Sequence, residues 1–269
     1  KNLWIGTERG LTRITFTNIV HWTEENGLGD KEILSSGKID NDIYFGHENG
    51  LITIFSKGRF IVYNLNYELN KFKTNLQKRF NHITKITSNE NSLFLLIGDW
   101  GIFRFTPSKK LVPIYIVNGS EQILDFAINS KNEIYIAGNF YSGNEKWKIK
   151  IIPPGDILEN LNIPKEVDIQ GLYFARDGSL WLRTSSGELF HKTKNIFEKI
   201  DLYNQPTKIY TIKEDRGSNL FVGTDKGFAI IYKSGEKKFF DISAGLNDEQ
   251  IFSMYFDELN NLWFLSSKG

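Results

Sequence analysis

Asp99 and Trp100 are the residues best suited to ligand chemistry, and they are adjacent in a short polar turn between two apolar runs. Other copies of this turn carry polar residues such as Asn49 and Lys226 where Trp100 stands, so core packing does not require the ring there. A flat ring stacks on a sugar face while a neighbouring carboxylate accepts hydrogen bonds from hydroxyl groups. One hypothesis is that both residues contact a ligand, and the other is that the ring folds back over the edge of the blade.

Four further side chains are candidate ligand contacts, namely Arg9, His47, Tyr141 and Arg183. Arg9 and His47 lie in turns equivalent to that of Asp99, and Tyr141 lies in the longest of these turns. Arg183 takes a position held by a small residue in most repeats, so its guanidinium must reach a carboxylate, a carbonyl group or a channel mouth. A structural ion pair and an anion site both stay open. His47 has no second His or Cys at ligand spacing, so no metal site is predicted.

Catalytic motifs are absent from the sequence. The four histidines (His21, His47, His82 and His191) fall in different repeats, and no G-x-S-x-G, phosphate-loop or calcium-loop motif is present. We expect no catalytic residues, no cofactor and no enzymatic activity of these residues. Paired carboxylates, as in some glycosidases and lyases, are the remaining route to catalysis because pairing in space is invisible in a sequence.

Composition and charge narrow the choice of partners. The 269 residues include 33 basic and 32 acidic side chains, so no chain-wide field favours nucleic acid or an anionic membrane. No Cys is present, and no apolar run approaches the ~20 residues of a membrane span. Because the sequence begins Lys1-Asn2-Leu3-Trp4, without an initiator Met or a signal peptide, we expect it to be part of a longer chain.

An internal repeat defines the elements that must position these side chains. Seven copies of a strand and turn recur: LWIGTERGL from Leu3, IYFGHENGL from Ile43, LFLLIGDWGI from Leu93, IYIAGN from Ile134, LWLRTSSGEL from Leu180, LFVGTDKGF from Leu220 and LWFLSSKG from Leu262. The copies are about 43 residues apart, which is the period of β-propeller blades. The repeat between Lys208 and Ile242 contains four short apolar runs separated by polar turns. We therefore predict an all-β propeller of four-stranded antiparallel blades.

The number of strands predicts the number of blades. The chain begins on a second strand, continues through five complete blades and ends with two strands, which makes 25 strands. This count favours a single domain over residues 1–269 with seven blades, of which the terminal ones are incomplete. Six blades remain an alternative if the last strand is displaced.

One interval between repeats is longer and contains residues 64–81. Leu65, Leu69, Phe72, Leu76 and Phe80 follow helical spacing, with basic residues between them. We predict an amphipathic helical insertion here, which packs on the blades, forms a lid or offers a partner surface.

The run Leu3–Leu11 resembles the hallmark of the two-component regulator propeller repeat, and residues 43–51 and 220–228 are near copies. The turns at residues 26–33 and 244–251 are similar to the turn that precedes the first strand in this family. The resemblance implies the extracytoplasmic sensor domain of a bacterial hybrid two-component regulator, common in Bacteroidetes, where many members respond to polysaccharide fragments.

The family has no fixed ligand motif to carry over, so the resemblance implies a role but no site. The expected function is a non-catalytic, periplasmic sensor of an oligosaccharide or other small molecule, in contact with other domains of the same chain. A homodimer is open, while nucleic acid and direct membrane contact are not expected. The alternatives are a protein-interaction or dimerisation scaffold and, less favoured, a propeller glycosidase or lyase.

Overall fold

The computed structural model describes residues 3–7, 10–14, 19–72, 80–89, 92–142, 145–152, 157–159, 168–193, 196–202, 207–256 and 259–266. Short strands joined by tight turns make up most of this length, as the alternation of apolar and polar residues predicts. Within each sheet, consecutive strands pair in chain order. The chain divides into two compact units, Lys1–Ile123 and Leu124–Gly269, which are described separately.

The first unit contains three sheets. The first sheet has three strands: β1 (Leu3–Thr7), β2 (Gly10–Ile14) and β3 (Ile19–Trp22). The second has four: β4 (Ile33–Ile39), β5 (Asp42–His47), β6 (Leu51–Ser56) and β7 (Arg59–Asn64). The third also has four: β8 (Ile83–Asn89), β9 (Ser92–Ile97), β10 (Gly101–Phe105) and β11 (Leu111–Ile116).

The second unit contains three four-stranded sheets and a two-stranded sheet. The four-stranded sheets are β12 (Gln122–Ile128), β13 (Ile134–Ser142), β14 (Glu145–Ile152) and β15 (Ile157–Glu159); β16 (Ile169–Phe174), β17 (Leu180–Thr184), β18 (Leu189–Thr193) and β19 (Ile196–Ile200); and β20 (Ile209–Glu214), β21 (Leu220–Thr224), β22 (Gly227–Ile231) and β23 (Lys237–Phe240). The last sheet pairs β24 (Ile251–Phe256) with β25 (Leu262–Ser266).

The fold class is confirmed as an all-β propeller built from four-stranded antiparallel blades, and the predicted 25 strands are present. The expectation of seven blades needs correction. Among the described residues, five sheets have the four strands of a complete blade, while the first sheet has three strands and the last has two.

The predicted insertion contains a short helix, α1 (Asn66–Leu69), followed by a 3₁₀ turn (Asn70–Phe72). Leu65 and Leu69 are fully buried in the core between the second and third sheets. The ring of Phe72 lies 5.5 Å from that of Phe103, which extends the same core. Residues 73–79, including the predicted apolar position Leu76, lie outside the described residues.

Glycines on second strands allow neighbouring sheets to approach each other closely. A Cβ atom on Gly46 would lie 2.6 Å from Cγ2 of Ile83, the first residue of the next sheet. Gly6 has the same relation to Ile33, at 2.7 Å. These distances are shorter than van der Waals contact, so the position admits no larger side chain unless its neighbour moves. The small residue recognised in the repeat is therefore a packing requirement.

A β-bulge recurs in the first strand of five sheets. Each bulge follows the isoleucine that begins the strand and leaves one residue without a cross-strand partner. These extra residues are Leu34, Thr84, Gln170, Tyr210 and Phe252. A bulge changes the direction of a side chain relative to the regular pleat. These five side chains therefore do not continue the alternating pattern of the strands.

Candidate functional site

Trp100 does not present its ring at the tip of its turn, as the ligand-contact prediction expected. The side chain is only 8% exposed and belongs to the core between the second and third sheets. Its indole nitrogen Nε1 donates a hydrogen bond of 2.7 Å to Oδ1 of Asn81. The structure thus shows the alternative geometry, a ring folded back over the sheet, because burial of the indole removes a large apolar surface from water.

A chain of side-chain amides explains why an indole stands at this turn. Asn81 donates to Oδ1 of Asn66 at 2.5 Å, and Asn66 donates to the carbonyl oxygen of Asn49 at 2.9 Å. Asn49 in turn donates to Oδ2 of Asp30 at 2.7 Å. Asn66 begins α1 and Asn81 precedes β8, so these bonds and that of Trp100 fix both ends of the insertion to the second sheet and to the turn of Trp100. Trp100 therefore helps to hold the insertion in place.

The other candidates in the first unit differ in accessibility. Asp99 is exposed beside Trp100 and remains a predicted ligand contact. Arg9 lies outside the described residues. His47 is fully buried, with Nδ1 2.9 Å from the carbonyl oxygen of Glu32 and Nε2 2.7 Å from Oγ1 of Thr53. Burial lowers the pKa of His47, so the ring is neutral at pH 7 and both nitrogens are used inside the protein.

A pair of carboxylates lies on the same part of the first unit. A hydrogen bond with Glu48 raises the pKa of Glu32, since the two carboxyl groups share a proton more readily than they both ionise. Nε2 of His82 is 3.9 Å from Oε1 of Glu48. The Glu48 side chain is 47% exposed, so the pair is at the surface. Among the described residues, no group of three or more acidic or histidine side chains is placed to hold a metal ion.

In the second unit, the hairpin of β13 and β14 carries Tyr141 at its end. Tyr141 is 48% exposed and faces Lys146 across the hairpin, which leaves its ring accessible to a ligand. Two positions along β14, Nζ of the buried Lys148 donates to Oδ1 of Asp168 at 2.7 Å and to Oδ1 of Asn139 at 3.1 Å. The hydrogen bond from Lys148 lowers the pKa of Asp168. This ion pair ties the hairpin to the start of the next sheet.

Arg183 takes a position that glycine holds in the next sheet. Gly223 pairs with Thr211 there, whereas Arg183 pairs with Gly171, so the large and small partners are exchanged. A Cβ atom on Gly171 would lie 2.5 Å from Nε of Arg183, which shows that the glycine leaves room for the guanidinium. Nη1 of Arg183 donates to the carbonyl oxygen of Ile209 at 3.2 Å. The expectation of a carbonyl partner for this group is met.

The charge of Arg183 is poorly compensated. Burial lowers the pKa of Arg183, and the charge of Asp125 opposes that change. Asp125 is itself buried, and its Oδ2 accepts a hydrogen bond of 2.8 Å from the backbone N–H of Leu172. Within the part of the chain that the structure describes, no carboxylate lies at ion-pair distance from Arg183.

Tyr210 and Phe252 form an aromatic pair that sequence reasoning missed. They are the bulge residues of β20 and β24, and their ring centroids lie 5.0 Å apart in an edge-to-face arrangement. Phe252 is 39% exposed and Tyr210 is partly buried. Tyr210 directly follows Ile209, whose carbonyl accepts the hydrogen bond from Arg183. Gln170, the bulge residue of β16, directly precedes Gly171.

A sequence signal for this pair exists. When the first strands are aligned on their initial isoleucines, the next position reads Leu34, Thr84, Gln170, Tyr210 and Phe252. Two adjacent repeats thus place an aromatic ring at a bulge. We call Gln170, Arg183, Tyr210 and Phe252 the bulge site.

No family model and no curated protein matches the chain. Solved structures do match. The extracellular domain assigned to the hybrid two-component system BT3049 of B. thetaiotaomicron is 20% identical with a TM-score of 0.72, over 98% of this chain and 37% of that one. The extracellular domain assigned to the one-component system BT4673 of the same organism is 17% identical with a TM-score of 0.70, over 98% and 36%. Virginiamycin B lyase from Staphylococcus aureus is 14% identical with a TM-score of 0.73, over 98% and 88%.

These likenesses confirm the propeller fold, and the two extracellular domains agree with the resemblance seen in the sequence. The chain spans a little over a third of the length of those two proteins. In the residues that the structure describes, no helix has the length and apolar character needed to cross a membrane.

Proposed function

We propose that this chain is a non-catalytic ligand-sensing propeller, the extracytoplasmic input part of a two-component regulator of the hybrid histidine kinase type, which responds to an oligosaccharide. The observation that carries the proposal is the aromatic pair of the partly buried Tyr210 and the exposed Phe252, with Arg183 bonded to the carbonyl oxygen of Ile209, the residue before Tyr210. The proposed partners of this chain are the ligand and the other domains of the same protein, and its proposed location is the periplasm.

The bulge site has the composition of a sugar-binding site. Aromatic rings cover the apolar face of a sugar, while planar donor and amide groups bind hydroxyl and charged substituents. Tyr210 and Phe252 supply the rings, Arg183 supplies N–H donors, and Gln170 supplies an amide that is both donor and acceptor. Large side chains at bulges on first strands are not needed for packing between sheets, since Thr84 takes the equivalent position in β8 and is exposed.

The likeness in fold to extracellular domains of two-component and one-component systems supports a sensor role and an extracytoplasmic location. Asp99 and Tyr141 stay proposed as additional contacts because both side chains are exposed. Trp100 and His47 fit the proposal less well than the bulge site does, since both are buried with polar partners inside the protein.

A thermal-shift screen of the full chain against plant, host and microbial oligosaccharides tests the proposal. A ligand that binds only the native state at a concentration 100 times its Kd stabilises the protein by about 2.7 kcal/mol, so we expect a dose-dependent rise of the melting temperature for one class. Phe252→Ala is expected to abolish the rise. Phe239→Ala, at an aromatic residue of similar exposure on β23 (41% against 39%), is the matched control. A flat response across the panel would favour a scaffold instead.

A lyase or glycosidase is the second candidate, because virginiamycin B lyase is similar in fold and Glu32 and Glu48 are neighbouring carboxyl groups at the surface. Incubation of the chain with the same panel, followed by mass spectrometry of the products, separates the two candidates. We expect unchanged oligosaccharides. Cleavage that is lost in Glu48→Gln would establish the enzyme.

A further inference from the structure

We infer that the ligand of the bulge site carries a carboxylate, bound by Arg183, beside a ring face that contacts Tyr210 and Phe252. The substrate class is thus an acidic oligosaccharide with uronate units. The inference rests on the proposed sensor function and specifies the chemistry of its ligand.

The first argument is the unused hydrogen-bonding capacity of Arg183. A guanidinium has five N–H donors in a fixed planar fork. Among the described residues, the one acceptor of Arg183 is the carbonyl oxygen of Ile209, bonded to Nη1. Nε and Nη2 have no hydrogen-bond partner in the described part of the chain, and neither is among the fully buried side-chain atoms that lack one. Arg183 therefore has hydrogen-bonding capacity that the described residues do not use.

The second argument is the charge. A partly buried guanidinium is unfavourable unless an anion balances it, and Asp125 acts on Arg183 only from beyond ion-pair distance. One positive charge matches one negative charge, and the planar fork of arginine matches the two oxygens of a carboxylate. A uronate meets both conditions, whereas a neutral sugar leaves the charge of Arg183 balanced only by the more distant Asp125.

The third argument is the exchange of large and small residues. In the other first strands, the residue paired with this position is Ser35, Lys85, Thr211 or Ser253, and each has a side chain. Only β16 has glycine there among these five bulged strands, and its absent Cβ makes the space that Nε of Arg183 occupies. The sheet is thus altered at both partners to admit a guanidinium, and among the described residues no carboxylate lies at ion-pair distance from it.

Titration calorimetry with matched probes tests the inference. The probes are oligosaccharides of galacturonate, glucuronate and mannuronate, each paired with the same oligosaccharide after reduction of its carboxyl groups to primary alcohols. We expect the full chain to bind one acidic probe at least tenfold more tightly than its reduced partner. We expect this preference to weaken as the salt concentration rises, because screening weakens the attraction between the two charges.

Arg183→Leu is the variant of choice because Leu96 and Leu265 take the equivalent position in other sheets. It should retain the native circular dichroism spectrum, lose at least tenfold in affinity for the acidic probe and leave the affinity for the reduced probe unchanged. Arg183→Lys should fall between the two, since it keeps the charge and loses the fork.

The outcomes separate the inference from the proposal on which it rests. Equal affinity of the unaltered chain for an acidic probe and its reduced partner overturns the inference and leaves oligosaccharide sensing in place. If a folded Arg183→Leu variant binds the acidic probe with native affinity, the inference is also overturned and oligosaccharide sensing stays in place. A chain that binds neither kind of probe, and gives no thermal shift with any neutral oligosaccharide, overturns both.

Discussion

At the scale of single residues, the surroundings of a side chain in the fold decide its role more than its residue type does. Trp100 and Phe252 are both aromatic residues near strand ends, yet the first is buried with its Nε1 bonded to Asn81 and the second is exposed. The sequence predicted that the guanidinium of Arg183 reaches a carboxylate, a carbonyl group or a channel mouth, because this charged residue takes a position held by a small residue in most repeats. It left a buried Trp100 as the alternative to a ligand contact and could not name the partner of the indole, because the amide of Asn81 reaches Nε1 only in the folded state.

Trp100→Ala tests the structural role of the indole. We expect the free energy of unfolding to fall by about 3–5 kcal/mol, because the change leaves a cavity in the core and removes the partner of Asn81. Trp100→Phe, which keeps most of the ring, should cost less. Urea denaturation measures both, with Trp263→Ala as the control at an exposed tryptophan. Equal losses for Trp100→Ala and Trp263→Ala would contradict the buried position.

His47 should make stability depend on pH. Burial lowers the pKa of His47 from its ordinary value of 6.5, so the unfolded state binds the proton more strongly than the folded state. Stability is therefore complete above pH 6.5 and falls as the pH drops below it, by at most about 1.4 kcal/mol per pH unit.

His47→Thr removes this titration with a residue that Thr184 and Thr224 supply at the same position of other repeats. Melting temperatures between pH 7.5 and 5.5 should fall less in His47→Thr than in the unaltered chain. A residual slope is expected from His191, whose pKa burial also lowers. Identical slopes in the two proteins would refute a neutral, buried His47.

At the scale of elements, the repeat motif determines how closely the sheets pack. The period of about 43 residues and the small residue found in most repeats were readable from the sequence, since each recurs at a fixed distance. The bulges were not, because each extra residue interrupts the alternation of apolar and polar positions by which strands are recognised. The bulge site was missed for that reason.

Gly46→Ala tests the close approach between the second and third sheets. Its Cβ would lie 2.6 Å from Cγ2 of Ile83, so we expect a loss of about 1–3 kcal/mol in the free energy of unfolding. Gly217→Ala is the control, because there the nearest atom is the end of the Asn219 side chain at 3.0 Å and the backbone φ is ordinary.

A double-mutant cycle shows whether the Gly46 effect arises from this contact. Ile83→Ala removes Cγ2 and keeps Cβ, which would lie 2.8 Å from the new atom, so it relieves part of the overlap. The double variant should therefore be more stable than the sum of the single effects predicts, by about 0.5 kcal/mol or more. Strict additivity of the two changes would argue against the contact.

At the scale of the whole molecule, composition and the strand count predicted an all-β chain with no chain-wide charge, and the strand number agrees with the structure. The five complete blades agree with the prediction, whereas the total of seven did not follow, because that total depends on which strands pair at the two ends rather than on the repeat. The repeat pattern does not predict the ligand either. The repeated residues serve the packing between sheets, whereas a binding site depends on the positions at which single repeats differ from the pattern. Arg183, Tyr210 and Phe252 are such deviations.

Titration calorimetry of the full chain with the oligosaccharide that gives the largest thermal shift tests the central claim most directly. The claim predicts that Tyr210→Ala and Phe252→Ala each weaken binding about tenfold or more, which corresponds to 1.4 kcal/mol. It also predicts that Phe239→Ala binds with unchanged affinity. Native affinity in both Tyr210→Ala and Phe252→Ala, or an equal loss in Phe239→Ala, would contradict a ligand-sensing site at these bulges.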